Sequence, residues 1–310
     1  MPNLLFRSAQ SSSTVPFLGS EVAASYENAR VAILPVPYEA TTTYRQGCQA
    51  GPAAILEASH QVECIDEELM QESWPLGIYT HPMIAAECQG KAVLPTEMLA
   101  LTRQAAQTLS KDGKFVIALG GEHSITAGLV AGYQASTDAP FTVVQIDAHG
   151  DLRHTYEGSI HNHACVMRRI VEMGLPTVQL GIRSLCQEEF SFVKENQLTV
   201  FMDRHIATDS DWIVRAITSI KTQKVFLTID LDGIDPAIMP GVGTPEPGGI
   251  GWYPLLAFLR QLFLSHQVIG CDVMELAPIK GSVVSEFIAA KLVYKLIGYL
   301  SLAESSAQAA

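Results

Sequence analysis

"FTVVQIDAHGD", residues 141–151, is the stretch on which the fold turns. Phe141 to Ile146 is a nearly unbroken apolar run rich in β-branched residues. Runs of this kind mark strands covered on both faces. Asp147, His149 and Asp151 follow at once. Charge next to a buried strand is costly unless something compensates it. The same type of run recurs at 30–38, 114–121, 177–183, 197–203, 224–232 and 267–276. Helical patterns lie between: 51–62 with Pro52 near its first turn, 95–113 closing at Gly113, 209–222, 252–266 and a C-terminal segment. Strands alternating with helices predict a single α/β domain on a mostly parallel sheet.

In open α/β sheets ligands bind beyond the carboxyl ends of the strands. Four of these ends carry chemistry. "KFVIALGG" runs into His123, "FTVVQI" into Asp147, His149 and Asp151, "KVFLTI" into Asp230 and Asp232, and "VIGCDVM" into Glu275. Alternate residues of a strand share a face, so Asp147, His149 and Asp151 converge if the extended conformation persists to residue 151. Gly150 lets the backbone turn off the strand so that Asp151 reaches. A lone Asp-x-Asp at a strand end is ordinarily a turn or a cap. Four carboxylates and two imidazoles at neighbouring ends point to metal instead. Two divalent ions balance four carboxylates, and such pairs lower the pKa of water from 15.7 toward about 7. Oxygen and imidazole donors without thiolate suit manganese, iron, nickel, cobalt or zinc.

The remaining numbers mainly exclude. A net charge of −12 argues against a nucleic-acid partner and is compatible with a small cationic one. Six scattered cysteines form no zinc-knuckle or redox pair spacing, so the thiols read as reduced and the chain as cytoplasmic. The start, "MPNLLFRSAQSSSTVPF", lacks the apolar core of a signal peptide. The apolar C-terminal segment is interrupted by Glu286, Lys291 and Lys295, which suits a docked helix rather than a membrane span. Residues 1–29 read as an extension packing on or near the core, 30–304 as one catalytic domain, and 305–310 as a flexible tail.

"GGEHS" (120–124), "DAHGDLR" (147–153) and "TIDLDGIDPAIMPGVGTPEPGG" (228–249) resemble the metal signatures of the ureohydrolases, the arginase–agmatinase family. The likeness extends to "PVPYEATTTYRQGCQAGPAAI" (35–55), "GSIHNHACVMRR" (158–169), "LGIRS" (180–184) and "DVMELAP" (272–278), and is greatest toward bacterial agmatinases. It implies an arginase-like three-layer α/β/α sandwich with a sheet of about eight strands. It also implies two divalent metal ions, Mn2+ with Ni2+ as the alternative, and a homo-oligomer, trimer or hexamer. By the same resemblance, His123, Asp147, Asp151 and Asp230 would hold one metal, and Asp147, His149, Asp230 and Asp232 the other, so that Asp147 and Asp230 bridge. Glu275 would pair with a guanidinium and His163 would carry protons to the leaving amine, with Asp151 as a further proton donor. Tyr156 and Thr244 join Glu275 and His163 as expected substrate contacts. His154 and His161 lie near His163 in sequence and are assigned no role.

The implied reaction is hydrolysis of a guanidino group to urea and an amine, with agmatine, yielding putrescine, as the first substrate. The segment 152–162 is poorer in Ser, Thr and Asn than in relatives that recognise an amino-acid head, and it contains Tyr156. Guanidinobutyrate, other guanidino acids, arginine and free guanidine are the alternatives. Glu122 stands where many relatives have Asp, at a position not expected to ligate. Two other classes compete. Metal-dependent deacetylases use Asp and His at strand ends but need one zinc and paired histidines, whereas this chain has a second carboxylate set. An inactive regulatory relative would not be expected to keep all six ligands.

Overall fold

A computed structural model of the protein describes residues 15–88 and 91–309. Eight strands form the main sheet: β1 (Val31–Val36), β2 (Ile78–Thr80), β3 (Phe115–Gly120), β4 (Phe141–Ile146), β5 (Thr177–Ile182), β6 (Thr199–Met202), β7 (Lys224–Asp230) and β8 (Gln267–Met274). Their order is β6-β5-β4-β7-β8-β3-β1-β2, and every pairing is parallel. The predicted sheet is therefore present, with β2 as an addition. Three residues at an edge leave too short a pattern to stand out.

Nine helices are described: α1 (Gly51–Ser59), α2 (Pro95–Lys111), α3 (Thr126–Gln134), α4 (Val166–Glu172), α5 (Gln187–Glu195), α6 (Asp203–Ile206), α7 (Trp212–Ser219), α8 (Trp252–Ser265) and α9 (Val284–Ala309). Each central strand alternates its side chains between two cores. Val31 and Ile33 of β1 and Phe115, Ile117 and Leu119 of β3 join Ile55, Phe258 and Tyr294 on the α1, α8 and α9 side. Ala32 and Leu34, with Val116 and Ala118, join Met98, Leu129 and Met167 on the α2, α3 and α4 side. This period of two makes the three layers.

Helices α3 to α6 were not singled out by pattern. α3, "TAGLVAGYQ", is buried on almost all sides and so carries no polar face to reveal it. Residues 15–29 pack on the core. Phe17 is fully buried, its amide donates to Thr80 Oγ1 (2.9 Å), and the Leu18 amide donates to Ser59 Oγ (2.9 Å). Residues 1–14 lie outside the described residues. Residues 305–309, part of the segment expected as a tail, form the last turns of α9. No helix among the described residues is long and apolar enough to cross a membrane.

Candidate metal centre and active site

The strands whose ends carry His123, the Asp147 cluster, the Asp230 pair and Glu275 are β3, β4, β7 and β8. They are neighbours in the sheet, in the order β4-β7-β8-β3. Chain order separates them by up to about half the molecule; sheet order brings their ends together.

Extended backbone does not persist to residue 151, as β4 ends at Ile146. Convergence comes from a turn. Asp147 Oδ1 accepts from the His149 amide at 2.6 Å, which folds the chain back over the strand end. Asp230 repeats the device, its Oδ1 accepting from the Asp232 amide at 2.9 Å. Gly150 does not make the turn. Asp151 itself adopts the left-handed region (φ 51°). What Gly150 provides is room, because a Cβ there would meet Leu185 Cδ2 at 2.2 Å. Glu275 is also left-handed (φ 65°). Such backbone strain in non-glycine residues gathers at functional sites.

His123 is fully buried. Its Nδ1 lies 3.2 Å from Asp147 Oδ2, 3.3 Å from Asp151 Oδ2 and 3.2 Å from Asp230 Oδ2. With three carboxylates this close, Nδ1 still makes no hydrogen bond. Four donors aimed at one point, none bonded to another through that nitrogen, fit a cation between them. Nε2 faces Thr228 Oγ1 at 2.7 Å, which orients the ring. A second group is formed by Asp147, His149 and Asp232. His149 Nδ1 is 2.9 Å from Asp232 Oδ2 and 3.7 Å from Asp147 Oδ1. The two oxygens of Asp147 thus face different histidines, which suits a carboxylate shared by two ions. Asp230 joins His123 and Asp147 in the first group, and the charge of Asp232 acts on it from the second.

Electrostatics tell the same story. Burial and the neighbouring Asp147 charge push Asp151 up to about 7. Burial and the charges of Asp232 and Asp147 hold Asp230 well above the usual carboxylate range. Burial lowers His149, but Asp147 and Asp232 outweigh it and raise the imidazole to about 12. Carboxylates crowded this tightly must take up protons or share cations.

Beyond these groups lies a cavity of about 300 Å³ lined by His149, Asp151, His163, Thr244, Tyr156 and Glu275, among others. His163 Nδ1 is 3.6 Å from Glu275 Oε1. Burial lowers the His163 pKa, but Glu275, Asp151 and Glu122 raise it to about 9. Thr244 Oγ1 donates to Asp232 Oδ2 at 3.2 Å. Tyr156 forms part of the wall with the Arg153 guanidinium 4.5 Å over its ring. All ten residues singled out from the sequence therefore meet at this one place. His154 and His161 do not line it. A larger hollow of about 610 Å³ opens near Lys114, Lys224 and His266, remote from all the candidate ligands.

Sequence reasoning missed Gln145 and Gln179. Gln179 Nε2 donates to Gln145 Oε1 (2.5 Å), and Gln145 Nε2 donates to Asp147 Oδ2 (2.6 Å), a buried relay that steers a ligand oxygen. Their signal was a glutamine inside each of two apolar strand runs. Cys48 was also missed. It is buried beside Glu275, and burial pushes its thiol up.

A parallel sheet with a shared-carboxylate pair of metal groups at its strand ends defines a class, the two-metal hydrolases of α/β type. The sequence model of the Arginase family matches residues 29–298, and the chain belongs to that family. It is a ureohydrolase, hydrolysing amidino C–N bonds, and its family depends on a binuclear metal centre. An N(1)-aminopropylagmatine ureohydrolase of Synechocystis is 57% identical over 91% of this chain and 93% of that protein. An agmatinase of Pyrococcus horikoshii is 32% identical over 86% and 90%. The crystal structure of the agmatine ureohydrolase of Thermoplasma volcanium superposes with a TM-score of 0.82 at 27% identity, covering 95% of this chain and 96% of that one.

Proposed function

We propose that the chain hydrolyses the guanidino group of N(1)-aminopropylagmatine, releasing urea and the triamine that remains. The observation that carries this reading is the 57% identity to the Synechocystis enzyme of that name, sustained over nine-tenths of both chains. Agmatine, with putrescine and urea as products, is the second reading, supported by the Pyrococcus and Thermoplasma relatives.

In either case the reacting end is the same. Glu275, which lines the cavity, pairs with the guanidinium, a planar cation suited to a carboxylate. His163, protonated at neutral pH by virtue of Glu275, donates a proton to the amine nitrogen as the C–N bond breaks. Asp151, at the turn beside it, is the other proton donor. His123, Asp147, Asp151 and Asp230 would hold one divalent ion, and Asp147, His149, Asp230 and Asp232 the other, with manganese favoured and nickel the alternative. When bound, such a pair would supply an activated water and balance charge in the transition state. Thr244 and Tyr156 form the walls along which the aliphatic part lies. A homo-oligomer, trimer or hexamer, belongs to the same reading, and the exposed Val283, Val284 and Phe287 support it.

The test is urea release from agmatine and N(1)-aminopropylagmatine, with manganese and nickel loaded separately. We expect kcat/KM for the aminopropyl compound to exceed that for agmatine by about tenfold or more, the scale of one well-made extra contact. Equal or reversed values would return the assignment to agmatine. Asp147→Ala is expected to abolish turnover and to lower metal content. Full turnover in that variant would sink the two-metal reading altogether.

A further inference from the structure

Glu122 precedes the ligand His123 and is itself completely buried, yet it takes no part in either metal group. Its carboxylate is spent elsewhere. Oε2 accepts from the amides of Ala40 and Thr41, each at 2.6 Å. Oε1 accepts from Thr41 Oγ1 at 2.8 Å and from Ser124 Oγ. The Glu122 side chain thus holds residues 40 and 41 of the loop that follows β1, beyond the point where the Glu122 amide donates to the Tyr38 carbonyl (2.8 Å).

Thr41 passes the constraint on. While donating to Glu122, its Oγ1 accepts from the His163 amide at 3.0 Å, and its carbonyl accepts from Asn162 Nδ2 at 3.2 Å. Thr43 Oγ1, two residues along, faces His163 Nε2 at 3.4 Å. On the far side His163 Nδ1 lies 3.6 Å from Glu275 Oε1, which accepts from the His123 amide at 2.7 Å. The circuit closes on itself, running from Glu122 through Thr41, His163 and Glu275 to His123, the residue after Glu122. Gly121 lets the two backbones meet beneath it, since a Cβ there would come within 1.9 Å of Tyr38 O.

We propose that Glu122 is a positioning residue for His163, fixing the 40–43 loop so that the proton-donating imidazole keeps one geometry relative to Glu275 and the metal ligands. The inference rests on the role given to His163 above. An aspartate here falls short of the Ala40 and Thr41 amides by about 1.5 Å, one carbon–carbon bond. The length of this side chain is therefore matched to the loop it holds.

The test is a double-mutant cycle on the metal-loaded full chain with Glu122→Asp and His163→Ala. Metal per chain is measured alongside kcat and KM. Glu122→Asp is expected to lower kcat by about tenfold to a hundredfold, the cost of displacing a reacting group by an ångström. Its metal content should stay at the wild-type value and KM should change little. In the His163→Ala background the same substitution should cost less than about twofold, because the group it positions is gone. Thr41→Val, which cuts the link while leaving Glu122 in place, should behave alike and carries the cycle if Glu122→Asp does not fold. Losses that multiply independently overturn the inference while leaving the function of His163 intact, as does wild-type kcat in both link variants. Wild-type kcat in His163→Ala removes the proton-donor reading itself, and the inference with it.

Discussion

At the scale of single residues, the site is made by short side chains that bend the backbone back on itself. Asp147 and Asp230 each accept from the amide two positions on, and each is grouped with a histidine and a second carboxylate. These residues were legible because each ends an apolar run that gives polar groups no other reason to be there. Glu122 carried the same mark, but nothing local could assign it a partner. Its partners, Ala40 and Thr41, come from a loop 81 and 82 positions away. The pairing of His163 with Glu275 makes a direct prediction. In the metal-free chain the His163 imidazole should titrate near 9 rather than at its ordinary 6.5. A folded-state pKa above the unfolded one means the charge contributes stability below pH 6.5 and loses it as pH rises through about 9. NMR titration of Glu275→Gln should show the midpoint falling back toward 6.5. A midpoint that does not move would disconnect the two groups.

At the scale of elements, helix α9 shows how one residue serves two arguments. Lys295 interrupts an apolar segment, which spoke against a membrane span. The structure adds its purpose. The side chain is fully buried and its ammonium lies 2.8 Å from Asp66 Oδ1, 3.1 Å from Glu67 Oε1 and 3.3 Å from Glu68 Oε2, on the connection between α1 and β2. Tyr299, one turn on, donates to Glu68 Oε2 at 2.6 Å. Lys295→Met leaves Asp66 buried and unpaired, and should destabilise by about 3–5 kcal/mol in denaturant unfolding. Urea release per folded chain should be unchanged, since this cluster is remote from the cavity. The acidic triplet at 66–68 and the lysine were both visible in the sequence, but nothing in either stretch pointed to the other. Elements that pattern did not single out share a cause as well. A pattern reveals an element only when one face differs from the other. β2 is too short for that and α3 is buried on almost every side.

For the whole molecule, the cation pair and the fold are linked. Ions that bind the folded chain and not the unfolded one raise stability by about 2.7 kcal/mol at a hundred times their dissociation constant. Chelation should therefore lower Tm by several degrees and re-addition of manganese should restore it, with Asp147→Ala insensitive to both. Equal melting of the chelated and manganese-loaded chains would mean that the strand ends do not hold ions at these concentrations.

The sequence by itself determined the class of fold, the four strand ends that carry chemistry and the residue types found there. Strand periodicity, turn-forming aspartates and the cost of burying charge are local, and a single pass along the chain reads them. It did not determine that β4, β7, β8 and β3 stand side by side, since strand order depends on contacts between segments far apart in the chain. Nor did it show that Gly150 serves packing while Asp151 takes the strained turn, or that Glu122 reaches across to Thr41. Those depend on what lies opposite each residue in space, which only the tertiary structure decides.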